Sequence, residues 1–330
     1  MTRILSGIQP SGQIHLGNYL GAIKNWVEEQ ETAESFYTVV DLHAITVEHN
    51  PEALRRSTQE LVMGLFALGL DQSKSKTFLQ SHVAQHCQLS WLMECTVTFG
   101  ELNRMTQFKD KGKGDEKVRA GLFTYPALMV ADILLYQADK VPVGDDQKQH
   151  LELARTAAQR FNNAYGDVFV VPSPMIPSIG ARVMDLQDPT RKMSKSSASD
   201  AGLIYVFEEP ESIQKKLRKA VTDAEGRVEY EPNIPERAGV NNLLEIYSAI
   251  DGRSPTEIAS EYTSYGSLKS DLSEVVISHL APFRKRYHEY LTDPSELGRQ
   301  LKIGSDAAQE VAQKTLESAM SAIGFLKPIP

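Results

Sequence analysis

The first 190 residues of this chain alternate strand-like and helix-like segments, and that rhythm narrows its fold more than any other feature. RILSGI (3–8), FYTVVD (36–41), KTFLQS (76–81), KVPV (140–143) and VFVV (168–171) read as short strands. Between them, LGNYLGAIKNWVEE places Leu16, Leu20, Ile23 and Val27 at helical spacing, and PEALRRSTQELVMGLFALG is a helix with Pro51 in its first turn and Gly69 near its end. A helix holding Cys87, Trp91 and Cys95 comes next, then ALMVADILLYQA (127–138) and a helix beginning near DQKQHLELA (146–154). A β-α-β succession of this kind predicts an α/β fold, a parallel sheet with helices on both faces. Ligands of such sheets sit at the carboxyl ends of the strands, so the loops that follow strands are where function is sought.

After residue 200 the pattern changes to helices alone, in ESIQKKLRKAVTD, NNLLEIYSAI, SLKSDLSEVVISHLAPFRKRYHEYL and SDAAQEVAQKTLESAMSAIG. Two domains are expected, 1–190 with the sheet and 191–330 helical. The decapeptide RKMSKSSASD (191–200) lies at their junction. It is either a solvated linker or a clamp for a polyphosphate, with Lys192 and Lys195 as the gripping cations.

The 330 residues are 41% apolar and 24% charged, as in globular proteins. MTRILSGIQPSG lacks the apolar core of a signal peptide, and no run approaches about 18 apolar residues, so neither secretion nor membrane spanning is expected. Cys87 and Cys95 would lie about 12 Å apart along a helix axis. That is too far for a disulfide, and a reducing cytoplasm is the expected location. A net charge of −8 gives no global field for nucleic acid. Local basic groups do exist. Residues 104–119 carry six cations against three acids, Lys215, Arg218 and Lys219 share a helix face, and Arg284 to Arg286 are consecutive. Each by itself reads as solvated surface.

Three segments carry chemistry. SGIQPSGQIHLGNYLG (6–21) is a strand, a glycine-proline turn and a helix start, with His15 and Asn18 able to donate to phosphate oxygens and Gly17 permitting close approach of a planar ring. VPVGDDQKQH (141–150) repeats the strand, turn and helix order, and Asp145 and Asp146 there either cap the helix or accept from ribose hydroxyls. In TYPALMVADILLYQ, Asp132 is the one charge among apolar residues, on a helix face with Tyr125, Met129 and Tyr136. A buried carboxylate requires a donor. An arginine or lysine of the fold would serve, and so would the N–H of a ligand in a pocket walled by Tyr125, Met129, Val141 and Val143. Asp41 and His43 in VVDLHAIT are candidates for the same cleft. His82 and His86 have the spacing of metal ligands but lack a third, and no metal site is expected.

PSGQIHLGN resembles the HIGH signature of class I aminoacyl-tRNA synthetases, and KMSKS (192–196) matches the second signature of that class. GIQPSG, GDDQ, ELNRMTQFK and TYPALMVADILLY extend the resemblance to the bacterial tryptophanyl-tRNA synthetases, from residue 1 to about 325. Asn18 replaces the second histidine of HIGH, and Ser-Ala-Ser follows KMSKS where Asp-Pro-Asn is common.

The resemblance implies a Rossmann-like catalytic domain followed by a helical, anticodon-binding one. It implies activation of L-tryptophan with ATP, release of pyrophosphate and transfer of tryptophan to tRNA(Trp), in a cytoplasmic homodimer. Carried onto this sequence, ATP would be held by Gln9, Pro10, Ser11, His15, Gly17 and Asn18, with Gly144, Asp145, Asp146 and Val183 at the adenosine. Lys192, Met193, Ser194, Lys195 and Ser196 would grip the triphosphate, with Lys111 assisting catalysis and Mg²⁺ held mainly by phosphate and water. Asp132 would accept from the indole N–H, Tyr125 and Gln147 would lie near the amino group, and Gly7, His43, Met129, Val141 and Val143 would enclose the ring. A small-molecule nucleotidylyltransferase shares the glycine-histidine turn but does not account for the helical carboxyl-terminal region. A non-catalytic RNA-binding relative would be expected to have lost Lys192, Lys195 or Asp132, and all three are present.

Overall fold

The computed structural model describes residues 2–106, 118–142, 148–175, 182–195 and 199–327. Among them, β1 (Arg3–Ile8), β2 (Glu34–Val39), β3 (Ser75–Leu79), β4 (Lys140–Pro142) and β5 (Ser173–Met175) form one sheet in the order β3-β2-β1-β4-β5. Every pairing is parallel, as the β-α-β succession predicts. β1 and β2 pair along their whole length, from Arg3↔Glu34 to Ile8↔Val39. β1 and β4 pair only at Ile4↔Lys140. The chain order reverses between these two strands, so a crevice opens beyond Ile4 at their carboxyl ends.

Four of the five predicted strands lie where the sequence places them. VFVV does not. Its backbone amides are taken by side chains: Asn162 Oδ1 accepts from Val168 N (3.1 Å) and Phe169 N (2.9 Å), and Gln137 Oε1 accepts from Val170 N (2.7 Å). The fifth strand forms two residues later, where Ser173 pairs with Lys140.

Helices α1 (Leu16–Asn18) and α2 (Lys24–Glu29) are joined without a break by a π-helical turn, Tyr19–Ile23. There follow α3 (Asp41–Ala44), α4 (Pro51–Ala67), α5 (Gln85–Glu94), α6 (Phe99–Asn103), α7 (Ala120–Leu135) and α8 (Lys148–Tyr165). In α4 the Asn50 side chain caps Ala53 N and Pro51 occupies the first turn; Gly69, at φ +116°, turns the chain away. α7 starts seven residues earlier than the apolar run suggests and carries Pro126 inside it. The rest comprises α9 (Pro210–Arg218), α10 (Ala238–Asp251), α11 (Pro255–Ala259), α12 (Tyr265–Thr292) and α13 (Pro294–Ile323). No described helix is long and apolar enough to cross a membrane.

The period-two alternation of the strands sends side chains to two cores. Tyr37, Val39 and Leu79 face one with α4 and with Leu243, Leu272, Val276 and Leu280 from α10 and α12. Leu5, Phe36 and Phe78 face the other with α5, α7 and α8. α13 returns to close this second core with Ala308, Ala312, Leu316 and Ala319. Both cores therefore cross the junction at residue 190.

The approach of α13 to β3 requires a glycine. A Cβ at Gly304 would overlap the Thr77 carbonyl oxygen, whereas one at Gly298 on the same helix meets nothing within 4 Å. Gly304→Val is expected to destabilise the fold by about 1–3 kcal/mol and lower the thermal midpoint by several degrees. Gly298→Ala is expected to leave the midpoint unchanged or raise it, since an exposed helical glycine costs about 0.5–1 kcal/mol relative to alanine. Calorimetric scans of the two variants side by side test this pairing, and equal shifts in both would contradict it.

Candidate functional site

β1 runs into a turn at Gln9–Gly12, closed by Ser11 N donating to Gln9 O (2.8 Å). Gly12 sits at φ +103°, a conformation that side chains disfavour. His15 then caps the helix start. Its Nδ1 accepts from Asn18 N (3.2 Å), and Asn18 Oδ1 accepts from His15 N (3.3 Å), a reciprocal capping box. With Nδ1 an acceptor, the ring proton belongs on Nε2. Burial, reinforced by the charge of Lys195, pushes the imidazole down to about 4. His15 is therefore a neutral donor at neutral pH. At Gly17 the His15 ring lies 3.1–3.2 Å and Met193 Cβ 3.4 Å from where a Cβ would stand, so the protein itself packs closely on this glycine.

Two short bridges fasten the decapeptide to this turn. His15 pairs antiparallel with Tyr205, with Leu16 N to Ile204 O at 2.8 Å and Val206 N to Ile14 O at 2.9 Å. Met184 pairs antiparallel with Lys192, and Met193 N donates to Val183 O at 3.0 Å. The alternation buries Val183 and Met193 and leaves Lys192 exposed. Met193, the one apolar residue of RKMSKSSASD before Ala198, thus anchors the segment, while Ser194 and Lys195 follow it towards the turn. Lys195 Nζ reaches Ser11 Oγ at 3.4 Å. Burial pushes its ammonium down to about 8 against the opposing charge of Glu60.

The crevice between β1 and β4 is a cavity of about 510 Å³, within the usual range for small-molecule sites. Gly7 and Gln9 border it from β1 and its turn, His43 from α3, Val141 from β4, and Tyr125, Met129 and Asp132 from α7. The predicted helix face divides at Tyr136, which lies behind the pocket among Phe36 and Phe78. Asp41 does not join the cleft, because its carboxylate accepts from the N–H and hydroxyl of Ser81.

Asp132 is 4% exposed and has no lysine or arginine partner among the described residues. Oδ2 accepts from His43 Nε2 at 2.7 Å. Oδ1 accepts from Gln80 Nε2 at 2.7 Å and His86 Nδ1 at 2.6 Å. Burial pushes this carboxyl up, but the charge and hydrogen bond of His43 and the hydrogen bond and charge of His86 outweigh it and hold it well below the usual carboxylate range. A carboxylate offers about four acceptor positions. Three are filled among the described residues, two on Oδ1 and one on Oδ2, whose partner His43 borders the cavity.

His86 is thus an orienting partner of Asp132, while His82 is exposed in the preceding turn. No group of three His, Cys, Asp or Glu side chains able to hold a metal occurs among the described residues. Two contributors went unread in the sequence. Gln80 directly follows the apolar run of β3. His150 lines the pocket 2.7 Å from the Tyr125 hydroxyl, and burial pushes that phenol up to about 12. The available signal for His150 was its place at i, i+4, i+8 with the buried Ala154 and Ala158 of α8. Lys111, Val143, Gly144, Asp145, Asp146, Gln147 and Ser196 lie outside the described residues.

Residues 1–281 match the family model of class I tRNA synthetases (W and Y). The chain is 51% identical to the tryptophan–tRNA ligase of Listeria monocytogenes over 98% of its own length and 97% of the relative's. It is 49% identical to tryptophan–tRNA ligase 2 of Streptomyces avermitilis over 98% and 97% of the two lengths. Among solved structures it is similar to tryptophanyl-tRNA synthetase from Mycoplasma pneumoniae (TM-score 0.86, 38% identity, covering 99% of this chain and 98% of that one). It is also similar to the Campylobacter jejuni tryptophanyl-tRNA synthetase complexed with ADP and tryptophan (TM-score 0.85, 34% identity, covering 98% and 100%).

Proposed function

The chain belongs to the class I tRNA synthetases for tryptophan and tyrosine, and from that membership and its relatives we infer that it is a tryptophan–tRNA ligase. It activates L-tryptophan with ATP and passes the aminoacyl group to tRNA(Trp). The observation that carries the choice of amino acid is the ionised Asp132 on the cavity wall, with two donors on Oδ1 and a single one on Oδ2 among the described residues.

In this reading the indole ring enters between Gly7, Met129 and Val141, and its N–H completes Asp132. A hydrogen bond to a buried ion contributes about 1.5–3 kcal/mol, and an amino acid without a suitably placed donor leaves the anion short of a partner. Tyr125, held by His150, lies towards the amino group, where Gln147 is also assigned. The ATP phosphates lie along the turn at Gln9–Asn18, with Nε2–H of His15 and the amide of Asn18 as donors. Gly144, Asp145, Asp146 and Val183 hold the adenosine.

The tryptophan carboxylate attacks the α-phosphorus in line. A carboxyl oxygen to phosphorus bond forms, the bond to the bridging oxygen of the pyrophosphate breaks, and the leaving group carries away the negative charge. No protein nucleophile is required. The protein's contribution is positioning and charge stabilisation, supplied by Lys192, Lys195 and Lys111 with the backbone and side chains of Ser194 and Ser196. Mg²⁺ fits as a companion of the triphosphate, since phosphate and water oxygens are its preferred ligands. In the second step a terminal ribose hydroxyl of tRNA attacks the acyl carbon and AMP departs. The helical region after residue 200 receives the anticodon, and the enzyme works as a homodimer in the cytoplasm.

Two experiments test these roles. Asp132→Asn keeps the shape and the acceptor facing Gln80 and His86 but removes the anion. Its kcat/KM for tryptophan in pyrophosphate exchange should fall by about tenfold or more, with the KM for ATP little changed. An unaltered tryptophan value, or exchange that runs without any amino acid, would contradict the assignment. Lys195 is charged below its lowered pKa of about 8 and loses that charge as pH rises through it. The kcat/KM for ATP, which reports the free enzyme, should therefore decline above about pH 8, and Lys195→Arg, which stays protonated, should abolish that decline. A decline that persists in the arginine variant would assign it to another group.

A further inference from the structure

Asp132 depends on residues that never meet the pocket. His86 is fully buried, and both of its ring nitrogens are engaged: Nδ1 with Asp132 Oδ1 at 2.6 Å and Nε2 with the Tyr136 hydroxyl at 2.8 Å. The carboxylate fixes the direction of its own bond. It can only accept, so His86 Nδ1 carries a proton and donates to Oδ1, while Nε2 and the Tyr136 hydroxyl are bonded to each other on the far side of the ring. Tyr136 cannot turn away, because Phe36 and Phe78 pack on it at ring separations of 4.8 and 5.4 Å. Burial and the Asp132 charge hold its phenol well above the usual range, so it keeps its proton. Gln80 is held likewise, its Oε1 accepting from Leu42 N at 3.1 Å while Nε2 donates to Oδ1. Oδ1 therefore has two donors, and neither one lines the cavity.

We propose that His86, backed by Tyr136, is a positioning residue for amino-acid choice: by saturating Oδ1 it keeps Asp132 ionised and presents Oδ2 alone to the ligand's N–H. The proposal rests on the reading of the pocket as a tryptophan site. Without the His86 donor, Oδ1 keeps only Gln80, and the buried carboxyl binds a proton more readily. A neutral acid discriminates less between a ligand that brings an N–H and one that does not.

The test compares tryptophan with 3-(benzothiophen-3-yl)alanine, which has sulfur in place of the indole N–H, in pyrophosphate exchange by full-length enzyme. Wild type should prefer tryptophan by about tenfold or more. In His86→Leu and Tyr136→Phe, kcat/KM for tryptophan should fall while that for the analogue holds, so the preference shrinks, more in the first variant than in the second. His86→Asn places an amide N–H where Nδ1–H stood, and should restore most of the preference. A parallel loss for both substrates in the leucine and phenylalanine variants would reduce His86 to a core residue and overturn the proposal. An undiminished preference in both would overturn it equally. No preference in wild type would instead refute the tryptophan-site reading underneath it.

Discussion

The candidate site depends on one buried anion. Asp132 sits among the apolar residues of α7, where an unpaired carboxylate would be too costly to keep ionised. Its ionisation is secured by donors from three separate parts of the chain: His43 after β2, Gln80 after β3 and His86 on α5. These contacts bring the ends of two strands and two helices to one point on the wall of the crevice between β1 and β4. The topology supplies the crevice, and the hydrogen bonds supply its chemistry.

The second half of the site is assembled by short bridges. Residues 14–16 bond to residues 204–206, and residues 183–185 bond to 191–193. The helix start with its neutral His15 and the segment with Lys192 and Lys195 are thereby held against each other, although most of the sheet lies between them in sequence. Met193 is buried and supports the backbone there. Lys195 is half-buried at the turn, so its charge is already partly stripped of water before any phosphate arrives. An arriving polyanion repays that desolvation through an interaction that is stronger than it would be in open solvent.

Much of this was legible in the sequence, and the failures have physical causes. Strands bounded by turn residues and helices with clear caps were readable, because local preferences and burial agree there. VFVV failed because Asn162 and Gln137 capture its amides before a neighbouring strand can. Asp132 stood out as a lone charge in an apolar run, but its partners are 46, 52 and 89 residues away and no local spacing announces them. His86 was visible beside His82 at what would be one helical turn. The helix begins only at Gln85, so the two histidines never share a face. The membership of Met193 in the core and of α13 in the sheet's packing likewise follows from tertiary contacts alone.

The most direct measurement is the infrared difference spectrum of the protein with and without tryptophan, with Asp132→Asn identifying the Asp132 bands. An ionised carboxylate is predicted in both states at neutral pH, its bands shifted when the indole N–H fills the last acceptor position. A protonated carboxyl band from Asp132 in either state, or bands that do not move on tryptophan binding, would contradict the account.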